Sequence, residues 1–438
     1  VTVTDPAPPA TTTGDTKPER WTAQWKELYA EVITTGLCTG CAGCVVTCPH
    51  DVIGYEHEEG KYKPFHLEEE LGLDNCIHGE KGCTTCTRAC PRFRAWEPAA
   101  DMHLFGKVRE PNDMAGVWRQ LLLTRAANDE EHEKGQDGGF VSAMLNWLLD
   151  HDYIEAALVS GVEDDDRWKA KPVVVTNREE VLATAGSRYT YCANPLALRE
   201  AKERGFNRLA LVGMGCQTSS PPVMWDRKAG KVSKPFLFNI GLLCSKTFDD
   251  AIFPELFEAK YGLKKQDMVK MNIKGVFQIW MKDGSYHEID LKECHKWTRE
   301  GCKNCPDFAA EHSDIATGGI GKDNDWTLTI VRTELGEEVI NRMIADGTII
   351  ARPAQEDEVA MKLLRTLSIV SRRRWPEWAD RAPSVGVPPP KKKEPAAAPA
   401  EGAAPAEGAA PAEGAAPAEG AAPAEGAAPA APAAPAEG

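Results

Sequence analysis

Eight cysteines in two blocks constrain this chain more than any other feature of its 438 residues. The first block reads Cys38-x2-Cys41-x2-Cys44-x3-Cys48-Pro49, and the second Cys76-x6-Cys83-x2-Cys86-x3-Cys90-Pro91. Three cysteines spaced two apart wrap a tight loop around one iron–sulfur cubane, so that thiolates and backbone N–H groups converge on it. The fourth, followed by proline, leaves that loop and reaches the other cluster. The spacing predicts one [4Fe–4S] cluster on Cys38, Cys41, Cys44 and Cys90, and another on Cys76, Cys83, Cys86 and Cys48. The x6 interval departs from the usual spacing. Paired Cys-x2-Cys ligands also suit tetrahedral zinc. A disulfide framework fits poorly, because such close pairs rarely serve as structural bridges.

Both ends of the chain are poor in core material. Residues 1–20 are polar, with Pro and Thr, and lack an apolar signal-like stretch. From residue 383 to 438 the chain becomes Pro-, Lys- and Glu-containing and then repeats GAAPAE with a period of six. Proline at that frequency blocks helix, and the segment has too little apolar surface to offset its ordering entropy, so both ends are expected to be disordered. The formal net charge of −15 argues against nucleic acid as a partner. The longest apolar run, 236–244, is too short to span a bilayer. Fourteen cysteines with no secretion signal point to a reducing, cytoplasmic setting.

Residues 21–105 read as a two-cluster, bacterial-type ferredoxin module. A helix over 21–36 leads into the first loop and ends at Gly36. The alternating stretch 51–65 predicts a hairpin about Glu59-Gly60. A second domain, 115–380, alternates apolar runs with helical patterns: 157–162, 173–176, 208–214 and 236–243 as strands, 135–150, 177–185 and 194–205 as helices. That alternation predicts an α/β domain. Residues 269–291 add an antiparallel portion turning at Asp283-Gly284. Asp137-Gly138-Gly139 falls at a helix start, where unpaired N–H groups favour an anionic or electron-rich ligand edge. Cys216 and Cys244 fall just past strand ends, where open α/β sheets place their sites.

Cys216, Cys244, Cys302 and Cys305 remain as a third set of four thiols, suited by themselves to a [4Fe–4S] cluster or to zinc. The segments GQDGGFV (135–141), AGSRYTY (185–191), GCQT (215–218), GLLC (241–244), GCKNCPDFAAEHSDIATGGIG (301–321) and IVRT (330–333) resemble the β subunit of the coenzyme F420-reducing hydrogenase in order and approximate spacing. The resemblance spans about residues 115–350 and extends to β subunits of formate dehydrogenases and to 7-hydroxymethyl chlorophyll a reductase. It implies FAD and one [4Fe–4S] cluster in the second domain, the cluster on Cys216, Cys244, Cys302 and Cys305. The flavin would lie near Asp137, Gly138 and Gly139, near Ser187, Arg188 and Tyr189, and near the loop Thr317, Gly318, Gly319, Ile320, Gly321 and Lys322. Arg188 or Lys322 would offset phosphate or reduced-flavin charge. Cys192 and Cys294 have no cluster role, and His295, His50 and His78 are as well explained structurally as functionally.

The expected function is that of an oxidoreductase subunit. It exchanges a hydride between coenzyme F420 and FAD and passes single electrons through three [4Fe–4S] clusters to or from a redox protein, a partner subunit or a ferredoxin, as part of an oligomer or complex. A tetrapyrrole or other small substrate on the same redox train, and a pure relay subunit, are the alternatives.

Overall fold

Four buried strands laid parallel set the architecture. The structure is a computed structural model that describes residues 20–56, 62–68 and 72–379. The expected disordered stretches 1–19 and 383–438 and the hairpin tip Glu59-Gly60 lie outside the described residues. In chain order the strands are β1 Ile53–Tyr55, β2 Pro64–His66, β3 Gln120–Ala126, β4 Ala156–Val162, β5 Ala170–Val175, β6 Leu209–Met214, β7 Phe236–Leu242, β8 Met268–Ile273, β9 Val276–Met281, β10 Tyr286–Asp290, β11 Ile315–Gly318, β12 Thr327–Val331 and β13 Ile349–Pro353. Eight of them form one sheet in the order β13-β3-β12-β11-β7-β6-β4-β5. Its centre, β11-β7-β6-β4, is parallel. The flanking pairs are antiparallel.

The centre reads as near-continuous apolar sequence because helices cover the sheet, which is the usual signature of parallel strands. Helices Phe140–Asp150 and Glu334–Ala345 pack Phe140, Met144, Leu148, Val339 and Met343 against Val159, Val212 and Ile240. Phe140–Asp150 starts at Gly139, whose φ of 67° is left-handed and where a Cβ would collide with the carbonyl of Glu131; glycine is the residue that tolerates this turn. Helix Glu334–Ala345 is capped by Thr333, which accepts a 3.0 Å bond from Gly336 N–H.

Strands β8, β9 and β10 make the expected separate antiparallel sheet, with Gly284 at φ 84° in the β9–β10 turn. The predicted 51–65 hairpin is present as the antiparallel pair β1–β2. The helix expected over 21–36 is shorter, Trp25–Ile33, and its last five residues are wound as π-helix. All described residues belong to one compact unit. The apolar cluster beneath the amino-terminal cysteine loops draws on both halves of the chain: Trp25, Leu28, Val45 and Phe93 pack with Tyr191, Ala193 and Cys216. No helix among the described residues is long and apolar enough to cross a membrane.

Candidate functional site

The carboxyl ends of the parallel strands open into a cleft, the position at which open α/β sheets bind ligands. Ser160 of β4, Val212 and Gly213 of β6, Leu242 of β7 and Thr317 and Gly318 of β11 all line it. It has two connected parts, of about 850 Å³ and about 1400 Å³, sharing Gln136, Asp137, Gly186, Ser187, Arg188, Asn194 and Gly319. Gly186, at φ 93°, has open space where a Cβ would point. At Gly319 a Cβ would collide with the Asp137 carboxylate, so backbone and acid meet there directly. Asn194 is buried, and its Nδ2 donates 2.7 Å to the carbonyl of Val212. Its Oδ1 has no hydrogen-bond partner among the described residues, although it faces a cleft large enough for a ligand.

Most of the sequence-predicted cleft residues come together here. Asp137, Gly139, Ser187, Arg188, Thr317, Gly318 and Gly319 line the cleft, and Tyr189 lines its larger part. Burial pushes the Asp137 carboxyl up, against the pull of Lys274, whose Nζ stands 3.4 Å away. Arg188 spends its guanidinium on the carbonyls of Ser160 and Thr184, both at 3.1 Å, and so fixes the loop it belongs to. Tyr189 donates 3.1 Å to Asn272. Gly138 is not part of the lining; its N–H donates 3.0 Å to Oγ1 of Thr327, which is. Gly321 and Lys322 also stand off the cleft. The chain turns at Gly321, φ 125°, and the Lys322 N–H is held 3.0 Å from Asp357, leaving the lysine exposed.

Twelve of the fourteen cysteines, all free thiols, gather in three sets. Cys38, Cys41, Cys44 and Cys90 ring one cavity of about 360 Å³. Cys48, Cys76, Cys83 and Cys86 ring a second of about 300 Å³, beside which the rings of His50 and His78 stack at 3.6 Å. In each cavity the cysteine that precedes proline comes from the other block. The third set assembles from three places: Cys216 after β6, Cys244 after β7, and Cys302 and Cys305 at helix Glu300–Lys303. Burial, then the neighbouring Cys302, Cys216 and Cys305, push the Cys244 thiol well above its ordinary value. Burial likewise raises Cys41 to about 12 and Cys90 to about 11. Without a metal these thiols keep their protons; a bound metal must displace them.

The sets adjoin. The Cys44 thiol feels Cys86 of the second set, and the Cys216 thiol feels Cys41 of the first. Cys244 itself lines the larger part of the cleft. Among the described residues no three His, Cys, Asp or Glu side chains converge as they would on a single metal ion. Cys192 lines the cleft with its thiol pushed up to about 12 by burial, Cys294 is buried in the core under β8–β10, and His295 is exposed.

Sequence reasoning missed several neighbours of these sets. Arg92 donates 3.0 Å to Cys305 Sγ, Thr247 Oγ1 lies 3.4 Å from Cys302 Sγ, and Tyr191 OH lies 3.8 Å from Cys216 Sγ. Arg299 lies over the Tyr191 ring at 3.8 Å and donates 3.2 Å to the carbonyl of Thr39. Arg92 sits two residues past Cys90 and Arg299 three before Cys302, and proximity to a cysteine motif is the one signal that would have marked them.

A ligand cleft at the strand ends that runs onto one of three adjoining thiol sets defines the class: an oxidoreductase. More particularly, the chain belongs to the family of coenzyme F420 hydrogenase/dehydrogenase β subunits. The N-terminal part of the family matches residues 122–199 and its C-terminal part residues 206–357. Cys216, Cys244, Cys302 and Cys305 fall inside the second match; the eight cysteines from 38 to 90 precede both. The chain is 28% identical to a component of the F(420)H(2) dehydrogenase of Methanosarcina mazei, over 76% of this chain and 90% of that one. It is 30% identical to the coenzyme F420 hydrogenase β subunit of Methanothermobacter thermautotrophicus, over 63% and 99%. In structure it resembles a chain of the F420-reducing [NiFe] hydrogenase complex of Methanosarcina barkeri, with a TM-score of 0.56, 26% identity, and coverage of 63% of this chain and 98% of that one.

Proposed function

We propose that this chain is an iron–sulfur flavoprotein subunit that exchanges a hydride between coenzyme F420 and FAD and passes single electrons through three [4Fe–4S] clusters to or from a protein partner. One observation carries the reading: Cys244 belongs at once to the strand-end cleft and to the third thiol set. The fit of the groups rests on the residues present. Four cysteines stand around each of two apolar-walled cavities, spread around space instead of meeting at a point, which suits a polynuclear cluster better than one zinc ion. The cleft offers open space beside the backbone at Gly186 and the unpartnered Asn194 Oδ1.

A flavin, when bound, accepts a hydride and yields electrons singly, and a cubane carries one at a time. The chain's own residues bind and orient. Asp137 and Gly319 fix one wall, and Arg188 locks the opposite loop through three carbonyls. Phe248, Leu243, Ile320 and Leu367 give the larger part of the cleft an apolar wall. Such positioning and desolvation are what hydride exchange between two rings demands of a protein.

The test uses anaerobically purified protein with flavin and iron quantified, mixed with reduced coenzyme F420 and, in parallel, with NADH. Rapid bleaching of flavin and clusters by the deazaflavin alone is expected, with about twelve irons per chain for three cubanes. Bleaching by neither, in protein holding FAD and all its iron, would overturn the deazaflavin reading and leave a relay subunit.

A further inference from the structure

Arg92 belongs to two thiol sets at once. Its chain position, directly after Cys90-Pro91, puts its side chain in the wall of the cavity ringed by Cys38, Cys41, Cys44 and Cys90. Its Nη2 crosses to the third set and donates 3.0 Å to Cys305 Sγ. The side chain is 7% exposed, and its Nε has no hydrogen-bond partner among the described residues. A buried guanidinium without a bonded carboxylate is costly unless negative charge is supplied nearby. Asp307 lies within electrostatic reach, and the first and third sets add negative charge as thiolates once they hold clusters.

We infer that Arg92 is a positioning residue that sets the reduction potentials of the first and third cysteine sites together. This rests on the reading that both sets hold clusters. Reduction adds one negative charge to a cluster, and a fixed cation in a low-dielectric wall favours that reduced form. Because one guanidinium faces both sites, it favours reduction at both and leaves the site at Cys48, Cys76, Cys83 and Cys86 outside its reach. The two favoured sites are neighbours on the path inward from the cleft, so the charge keeps electrons next to the cleft and makes the second site the harder one to fill. Arginine keeps its proton even when buried, so the cation persists.

The experiment is an EPR-monitored redox titration of the full-length holoprotein, wild type, Arg92→Gln and Arg92→Lys, each with iron and acid-labile sulfide measured. The expected result for Arg92→Gln is a tenfold or greater fall in the reduced-to-oxidised ratio at two of the three clusters, about 59 mV each for one electron, with the third unchanged. Arg92→Lys, which keeps the charge, should restore most of it. Unchanged potentials with a lowered Tm, a shift at one cluster only, or an equal shift at all three would each overturn the inference. Should Arg92→Gln fail to take up iron, Arg92→Lys and wild type, both carrying guanidino-15N arginine, provide the second arm, because their difference isolates Arg92 from Arg299 and the other arginines near the sets. Pulsed EPR should then show 15N coupling present in wild type and lost in Arg92→Lys on two of three reduced signals, and a loss on none or one would overturn the proposal. Wild-type protein lacking three clusters would instead defeat the reading beneath it.

Discussion

Gly301 lies so close to Cys38 that a Cβ on the glycine would collide with the Cys38 carbonyl oxygen. The contact joins the first cysteine loop to the helix carrying Cys302. It is buttressed by Asn304 Nδ2, which donates 3.2 Å to the carbonyl of Gly36, and by the Lys63–Glu300 ion pair. Backbone on one side and a tight helix on the other leave no soft atom to yield. Gly301→Ala is therefore expected to cost about 1–3 kcal/mol as an overpacked contact. A lowered Tm accompanied by iron loss from the first and third sites is the expected outcome, read by thermal scan and iron assay. An unchanged Tm would show that the two loops move independently.

A second buried weld joins Asp101 and Arg109 to Glu311 and His312, some 200 residues further along the chain. Asp101 accepts from Arg109 Nε at 2.6 Å, Arg109 Nη2 at 2.7 Å and His312 Nε2 at 2.8 Å. Arg109 and Arg372 both also pair with Glu311. Burial would raise the Asp101 carboxyl, but the bonds from Arg109 and His312 outweigh it and hold the group below the usual carboxylate range. In the unfolded chain Asp titrates near ~3.9. The folded pKa is the lower one, so the unfolded state binds more protons in acid. The stabilisation is fully present above about pH 4 and is lost progressively as pH falls below that value toward the lower folded pKa. Asp101→Asn should cost about 3–5 kcal/mol at neutral pH by removing one of the two carboxylates that pair with buried Arg109 and leaving Glu311 shared between two arginines. It should also flatten the loss of Tm below about pH 4, in thermal scans that run on into more acid solution.

Why some of this was legible beforehand and some not follows from where each signal resides. The run Leu209–Met214 is apolar because it is a central parallel strand, and Cys216 just past it inherits the strand-end position. The cross-pairing of Cys48 and Cys90 with the opposite blocks was readable because proline spacing is local. Strand β13 and the helix Glu358–Arg372 were not read. The strand is an edge that alternates little, and the helix buries only a stripe including Leu364, Ser368 and Arg372. The glycine loop after β11 was read one turn too far: Gly318 and Gly319 face the cleft, but Asp357, thirty-five residues on, bonds the Lys322 N–H and draws it away. Arg92 and Arg299 were unreadable as buried cations, because the atoms that bury them come from more than 200 residues away.

Gly319 offers a local test of the cleft. A methyl group there would strike the Asp137 carboxylate, which is buried and paired with Lys274 and so cannot swing clear at low cost. Gly319→Ala is expected to weaken FAD binding at least tenfold, about 1.4 kcal/mol, and to leave iron content unchanged. Visible absorbance of the purified variant, with iron assayed on the same sample, separates the two. Full flavin occupancy would place the cofactor away from this wall.

Cys244 is the residue on which cleft and thiol sets meet, and its replacement should part them. Serine keeps the shape but provides a harder, more basic ligand, and a cubane held by three thiolates in a buried wall is readily lost. Cys244→Ser is expected to lower iron from about twelve to about eight per chain, since the eight cysteines from 38 to 90 ring cavities of their own. Flavin should remain, because the cleft walls at Asp137, Ser187 and Gly319 are untouched. Reduced coenzyme F420 should then still bleach the flavin while the amino-terminal clusters stay oxidised for many turnover times, in stopped-flow traces at flavin and cluster wavelengths. Unimpaired reduction of those clusters in protein with eight irons would mean that electrons bypass the third site and enter the first directly from the cleft.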